Sequence, residues 1–225
     1  MNLWREAALV AGKDLRIEAR SRVTLGQVIP FGMIVVLLFA FALDPDRGVL
    51  ERVAPGLFWI AVLLALLLAV GRAFAIETHH GARDGLRIAG LDGSAIFLGK
   101  AAAIAAQLLV LEVVVGIGVI VLYGVEIHGL GVILLTAAAA TIGLAATGTL
   151  YGVLAAGLRL RETLLPLLLL PVLAPVMLGA TRAFEDGLAG VPGDAWPWVG
   201  MLSVFAVLYS AIGVLAFDAL WEEAT

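Results

Sequence analysis

Six apolar runs, each long enough to cross a bilayer, decide what this chain can fold into. They fall at about Thr24–Leu43, Val53–Ile76, Ala101–Tyr123, Leu130–Ala156, Leu164–Ala180 and Trp198–Phe217. Runs of roughly 17–25 residues are what a helix needs to span about 30 Å of hydrocarbon. Lipid offers no water to backbone N–H and C=O groups, so each run must satisfy its own backbone as a helix. A membrane β-barrel would instead show short segments of alternating polarity, a pattern not visible here. Hydrophobic residues make up 62% of the chain, well above the roughly 45–50% of soluble domains. The expected fold class is therefore all-α: a polytopic membrane protein with six transmembrane helices, residues 1–225 forming one domain.

The polar remainder is small: about 22 residues at the start, the 77–100 segment, and two loops near Asp44–Arg52 and Arg182–Pro197. In the first stretch Leu3, Trp4, Ala7, Ala8, Ala11 and Leu15 recur at three- and four-residue steps, with Arg5, Asp14, Arg16, Glu18 and Arg20 between them. That spacing predicts an amphipathic helix over 1–22 lying in the membrane interface, where Trp4 suits the headgroup layer. Ala40-Phe41-Ala42 fits a signal-peptidase pattern. The long, acid-containing lead before it does not fit a signal peptide, so the first run is expected to stay as a span.

Basic residues near span ends stay on the cytoplasmic side. Arg5, Lys13, Arg16, Arg20, Arg22, Arg72, Arg83, Arg87, Lys100, Arg159 and Arg161 fall in alternate connections, and Arg47, Arg52 and Arg182 in the others. Eleven against three places both termini and the 77–100 segment in the cytoplasm.

That segment, ETHHGARDGLRIAGLDGSAIFLGK, is too long for a turn and too short for a domain. It mixes Arg83, Arg87 and Lys100 with Glu77, Asp84 and Asp92, and intersperses Leu86, Leu91 and Phe97. The mixture predicts a short amphipathic helix against the membrane face, open to a soluble partner through Asp84, Leu86, Leu91, Asp92 and Phe97. Gly93 to Lys100 superficially resembles a phosphate-binding loop. It has five residues between the glycines where that loop has four, and Ala101 follows the lysine where a Ser or Thr would hold magnesium. Nucleotide binding by this chain is not expected, nor is a nucleic-acid partner or a catalytic site. With no cysteine, thiolate metal sites and disulfides are excluded. His79-His80 are adjacent, so on a helix they diverge and do not chelate. His128 reads as an interfacial side chain.

Inside the spans, Glu112 is the one acid placed deep. A charge at that depth costs at least about 2.5 kcal/mol, so such a residue faces a cavity or a partner. Its bland reading is a hydrogen bond to Thr141, Thr147 or another hydroxyl. Gln107, five residues earlier, points elsewhere. Gly148-x-x-x-Gly152 predicts close helix approach, within one chain or against a second copy. Pro166, Pro171 and Pro175 predict a kinked or broken fifth span, a candidate hinge.

Four blocks carry a family resemblance: Lys13–Arg22, Ala54–Trp59, Asp84–Leu86 with Leu91–Lys100, and Arg161–Pro171. In order and spacing they resemble the B-type haem exporter permease of cytochrome c maturation. The resemblance implies a six-helix permease of the ABC exporter class in the bacterial inner membrane, with a separate ATPase subunit. It further implies a haem-handling membrane protein beside it and haem as the handled ligand, with no resident cofactor. Either haem is exported, or ATP drives release of the haem-loaded periplasmic chaperone. A homodimer and a pairing with another permease both supply the second membrane half such machines need, and lipid surrounds both. The alternatives are an ABC permease for lipid or drug export and a stand-alone secondary transporter. The latter needs a polar midplane site, for which only Glu112 and a few threonines are on offer.

Overall fold

A computed structural model describes residues 2–43, 47–79, 90–156 and 161–223. Its elements are α1 (Leu3–Ser21), a π-helical turn (Thr24–Val28), α2 (Ile29–Ala42), α3 (Arg47–His79), α4 (Gly93–Tyr123), α5 (Leu130–Ala156), α6 (Arg161–Leu188) and α7 (Pro192–Glu223). No strand occurs among the described residues. Five helices, α3 to α7, are long and apolar enough to span a membrane. A sixth span arises if α1 and α2, bent by 55° across the π turn, are counted as one. The π turn and α2 together cover 24–42 and extend roughly 28 Å, close to the hydrocarbon thickness. The chain is thus an all-helical polytopic membrane protein, as the apolar runs require.

The bend has a local cause. Arg22 takes a left-handed conformation (φ 55°, ψ 24°) and its N–H closes α1 on the Glu18 carbonyl. The rail of helical hydrogen bonds then restarts in a wider register. At the other end of the bundle, Gly124 (φ 68°) caps α4 and Gly190 (φ 76°) ends the turn before Pro192 opens α7. Proline is favoured in a first helical turn, where its missing N–H leaves no bond unmade.

α4 is the centre of the bundle, with α1, α2, α3, α5 and α7 packed around it. α5 lies against α3, α6 and α7 as well. Close approach of α5 to α3 depends on small residues. A β-carbon on Gly152 would sit 2.4 Å from the Phe74 ring, and one on Gly148 2.8 Å from Val70. The small-residue motif therefore packs inside one chain, where van der Waals contact replaces the hydrophobic drive that lipid removes. α6 runs as one helix across Pro166, Pro171 and Pro175. It is not broken, contrary to one of the two expected outcomes, because neighbouring helices hold its backbone in register.

Candidate functional site

Two places on α4 collect the chemistry. The first is where α1 crosses it. Glu6, Val10, Asp14 and Glu18 follow each other at four-residue steps, so they share one face of α1. That face turns inward. Glu6 Oε2 accepts from the Asp92 backbone N–H at 3.3 Å. Lys100 Nζ donates to Asp14 Oδ2 at 3.4 Å, and Arg72 Nε to Glu18 Oε2 at 3.2 Å. Between these ties, a β-carbon on Gly99 would come within 2.7 Å of the Ala7 carbonyl oxygen. Asp14 and Glu18, expected on the outer polar face, are instead fasteners. Their partners sit on α3 and α4, which no reading of α1 alone reveals. Trp4, Leu9 and Leu15 face outward together with Arg5, Arg16 and Arg20.

Lys100 is wholly buried, and its ammonium also stands 4.9 Å from the Phe74 ring centroid. It is the eighth residue of a 31-residue helix. At about 1.5 Å per residue, that puts it near the hydrocarbon boundary. A lysine there is retained because a carboxylate and an aromatic face replace its water. Gln107 lines a small crevice with Asp14, Glu18 and Arg72.

Asp92 is the N-cap of α4. Its Oδ1 accepts from the Ser94 backbone N–H at 2.9 Å and from the Ser94 hydroxyl at 2.6 Å. Both bonds favour the charged form, and the Ser94 hydroxyl and amide hold the Asp92 carboxyl below its ordinary range. The helix dipole adds to the same preference.

Of the 77–100 segment only its two ends are described, and the short amphipathic helix expected between them lies outside the described residues. α3 runs on to His79, and α4 begins already at Gly93. Asp84 and Leu86 lie outside the described residues. Asp92 is exposed and Leu91 half-buried, so both are at the surface. Phe97 is not: it is fully buried, 5.5 Å from Phe217 of α7, with Gly213 beneath its ring. The cap at Asp92 sets the helical register, and that register turns Phe97 into the α4–α7 seam rather than toward a partner.

The second place is Glu112, three turns further along α4. The Thr141 hydroxyl of α5 donates to its Oε1, which is the hydroxyl bond that the bland reading expects. Oε2 has no hydrogen-bond partner among the described residues. Thr147 and Thr149 instead bond back to the carbonyls of Gly143 and Ala145. Glu112 forms part of the wall of an apolar cavity of about 290 Å³ between α4 and α5, closed behind by Pro55, Phe58 and Phe184. Phe58, Phe184 and Trp59 meet with ring centroids 5.1–5.3 Å apart, Trp59 edge-on to both phenylalanines. Beyond this cavity, at the end opposite α1, His128 Nδ1 lies 2.9 Å from the Leu188 carbonyl and Nε2 lies 3.7 Å from Glu126. No group of side chains suited to a metal ion occurs among the described residues. Of the three prolines, Pro171 and Pro175 are exposed on α6 and Pro166 is half-buried beside the α3–α5 contact.

Buried charges stitched across long apolar helices define a polytopic α-helical membrane protein. Comparison with known families narrows this. Residues 5–222 match the family described as CcmB protein, and the chain belongs to that family. It is 28% identical to heme exporter protein B of Paracoccus denitrificans, over 92% of this chain and 93% of that one. It is 33% identical to heme exporter protein B of Rhodobacter capsulatus, over 80% of this chain and 82% of that one. The Pseudomonas aeruginosa protein of the same name is 26% identical over 93% and 94%.

Proposed function

We propose that this chain is the permease subunit of an ABC transporter complex of cytochrome c maturation, driven by a separate ATPase. Its relatives are named as haem exporters, and its sequence offers no phosphate-cradling loop of its own. The observation that carries the reading is the build of the α1 end. There the α3–α4 connection returns into a capped helix whose first turns are wedged between α1 and α7. A push delivered at Leu91 and Asp92 enters α4 directly at its N-cap. Glu6 passes the same push to α1, and Phe97 passes it to α7 from inside.

In this reading the α1 end and both termini face the cytoplasm of a bacterium, and the protein sits in the inner membrane. The ATPase grips the connection through Asp84, Leu86, Leu91 and Asp92. Pro166, Pro171 and Pro175, each lacking a backbone donor, let α6 flex as the bundle shifts. Beside it stands a haem-handling membrane protein, and the work done is haem export or release of the haem-loaded chaperone. The test is Leu91→Asp in the assembled complex. The expected result is loss of the ATPase from the purified complex or a fall in its stimulated turnover. Unchanged association together with unchanged turnover discards the coupling.

A further inference from the structure

α1 separates its charges in a way that its sequence alone does not. All three acids, Glu6, Asp14 and Glu18, reach the Asp92 N–H, Lys100 and Arg72, and Asp14 also pairs with Lys13 at 2.9 Å. What remains outward is cationic and apolar at once. Arg5, Arg16 and Arg20 are exposed, and among them Trp4 is 70% exposed and Leu9 57%. A shallow trough of about 380 Å³ runs along this surface, floored by Ala8 and Gly12 and flanked by Lys13, Arg16 and Arg20. The helix leaves the span direction by 55°, so its outer face is carried sideways across the end of the bundle.

From this we propose that the outer face of α1 is a binding surface for anionic phospholipid headgroups, with the phosphate seated in the trough between Arg16 and Arg20. Three observations select a lipid leaflet over a soluble acidic protein. Trp and Leu share the face with the arginines, which is the composition of helices that lie in the interface plane. Arg16 and Arg20 are four residues apart and both line the trough, so their guanidinium groups share it. The small floor residues let a headgroup approach the backbone between them. Arginine, whose planar fork matches phosphate oxygens, is the residue suited to this task. Because the opposite face of the same helix holds Lys100 and Arg72, a headgroup seated outside braces the junction that fastens α1 to α3 and α4.

The full chain lacks cysteine, so Ala8→Cys gives a single labelling point beside the trough for an environment-sensitive fluorophore. The labelled full-length chain in neutral detergent is titrated with short-chain phosphatidylglycerol, and separately with short-chain phosphatidylcholine. The expected result is a saturable response to phosphatidylglycerol that weakens with salt, and a much weaker one to phosphatidylcholine. Each of Arg16→Gln and Arg20→Gln lowers the phosphatidylglycerol affinity by about fivefold, the worth of one basic residue near an anionic surface. Both are exposed, so folding is preserved. Arg52→Gln and Arg182→Gln, at the far end of the bundle, leave the titration unchanged. Equal responses to the two lipids overturn the proposal. So do arginine variants that keep full lipid preference, including the case in which they lose an ATPase subunit instead.

Discussion

Lys100 and Glu112 lie on the same helix, about 18 Å apart along its axis, and both are buried. Lys100 meets Asp14 and the face of Phe74. Glu112 meets one hydroxyl, and its second oxygen has no partner among the described residues. One is a fastener between two packed helices, α1 and α4. The other is a polar group held at the edge of an apolar cavity. The difference teaches that buried charge in this bundle has two meanings. Near the α1 end it specifies which helices dock. In the middle it adds no comparable tie. A charge removed from the first place leaves a partner stranded, whereas a charge removed from the second leaves only a threonine to rearrange.

The comparison predicts a graded set of effects. Asp14→Ala should be the most damaging, lowering stability by about 3 kcal/mol, the lower end for breaking a buried pair, because Asp14 keeps some contact with water (14% exposed). Thermal unfolding of the purified chain in detergent reads this. A loss under a few tenths would show that Lys100 is held by its other neighbours and not by the carboxylate.

Gly99→Val comes next. A side chain there collides with Val10 and the Ala7 carbonyl, and overpacking of this kind costs about 2 kcal/mol. Since α1 must lift away, the buried Ala7 and Val10 should also gain protease and solvent access, which limited proteolysis would detect. Retained protection would mean that α1 docks through its ion pairs alone.

Asp92→Ala should cost about 1 kcal/mol, the usual worth of an N-cap. It also carries a pH signature. Because Ser94 holds the folded-state Asp92 carboxyl below its unfolded value, its contribution is full above the unfolded carboxyl range. It is lost as pH falls through the lower, folded value. Asp92→Asn keeps a capping acceptor and should flatten that acid limb of the stability profile. An unchanged limb would place the acid sensitivity at other carboxylates.

Glu112→Leu sits at the bottom of the scale. Replacing a half-satisfied buried carboxyl by an apolar group should be neutral within about 1 kcal/mol or stabilising. A marked loss in unfolding experiments would make Glu112 a second fastener and erase the contrast with Lys100. Intact stability with lost maturation activity would instead give the cavity a working role.

Much of the fold was legible in one dimension. The apolar runs fall on α2 to α7, five of which are long and apolar enough to cross a membrane, and the small residues of α5 announced a close contact. Helix ends were harder. α4 begins at Gly93 and not at Ala101, because a helix continues past the hydrocarbon boundary wherever a cap and neighbouring helices sustain it, and hydropathy does not register either. The site was only half legible. Glu112 stood out because an acid deep in a span is rare, and Thr141 was among its foreseen partners. Glu6, Asp14, Glu18, Arg72 and Lys100 were overlooked because each looks ordinary in a polar stretch near a span end. The signal available was the four-residue stride of Glu6, Asp14 and Glu18 with Val10. Phe97 was misassigned to the surface for a related reason: one turn of helix decides between a partner and the α4–α7 seam.

By itself, the order of residues determined that the chain lives in lipid, that it crosses as helices, and that its charges crowd at one end, since hydration free energy and the backbone's need for hydrogen bonds act on each segment separately. Which charges meet was decided only in three dimensions. Asp14 finds Lys100 eighty-six residues away because Gly99 lets α1 press against α4, and desolvation then makes the pairing compulsory.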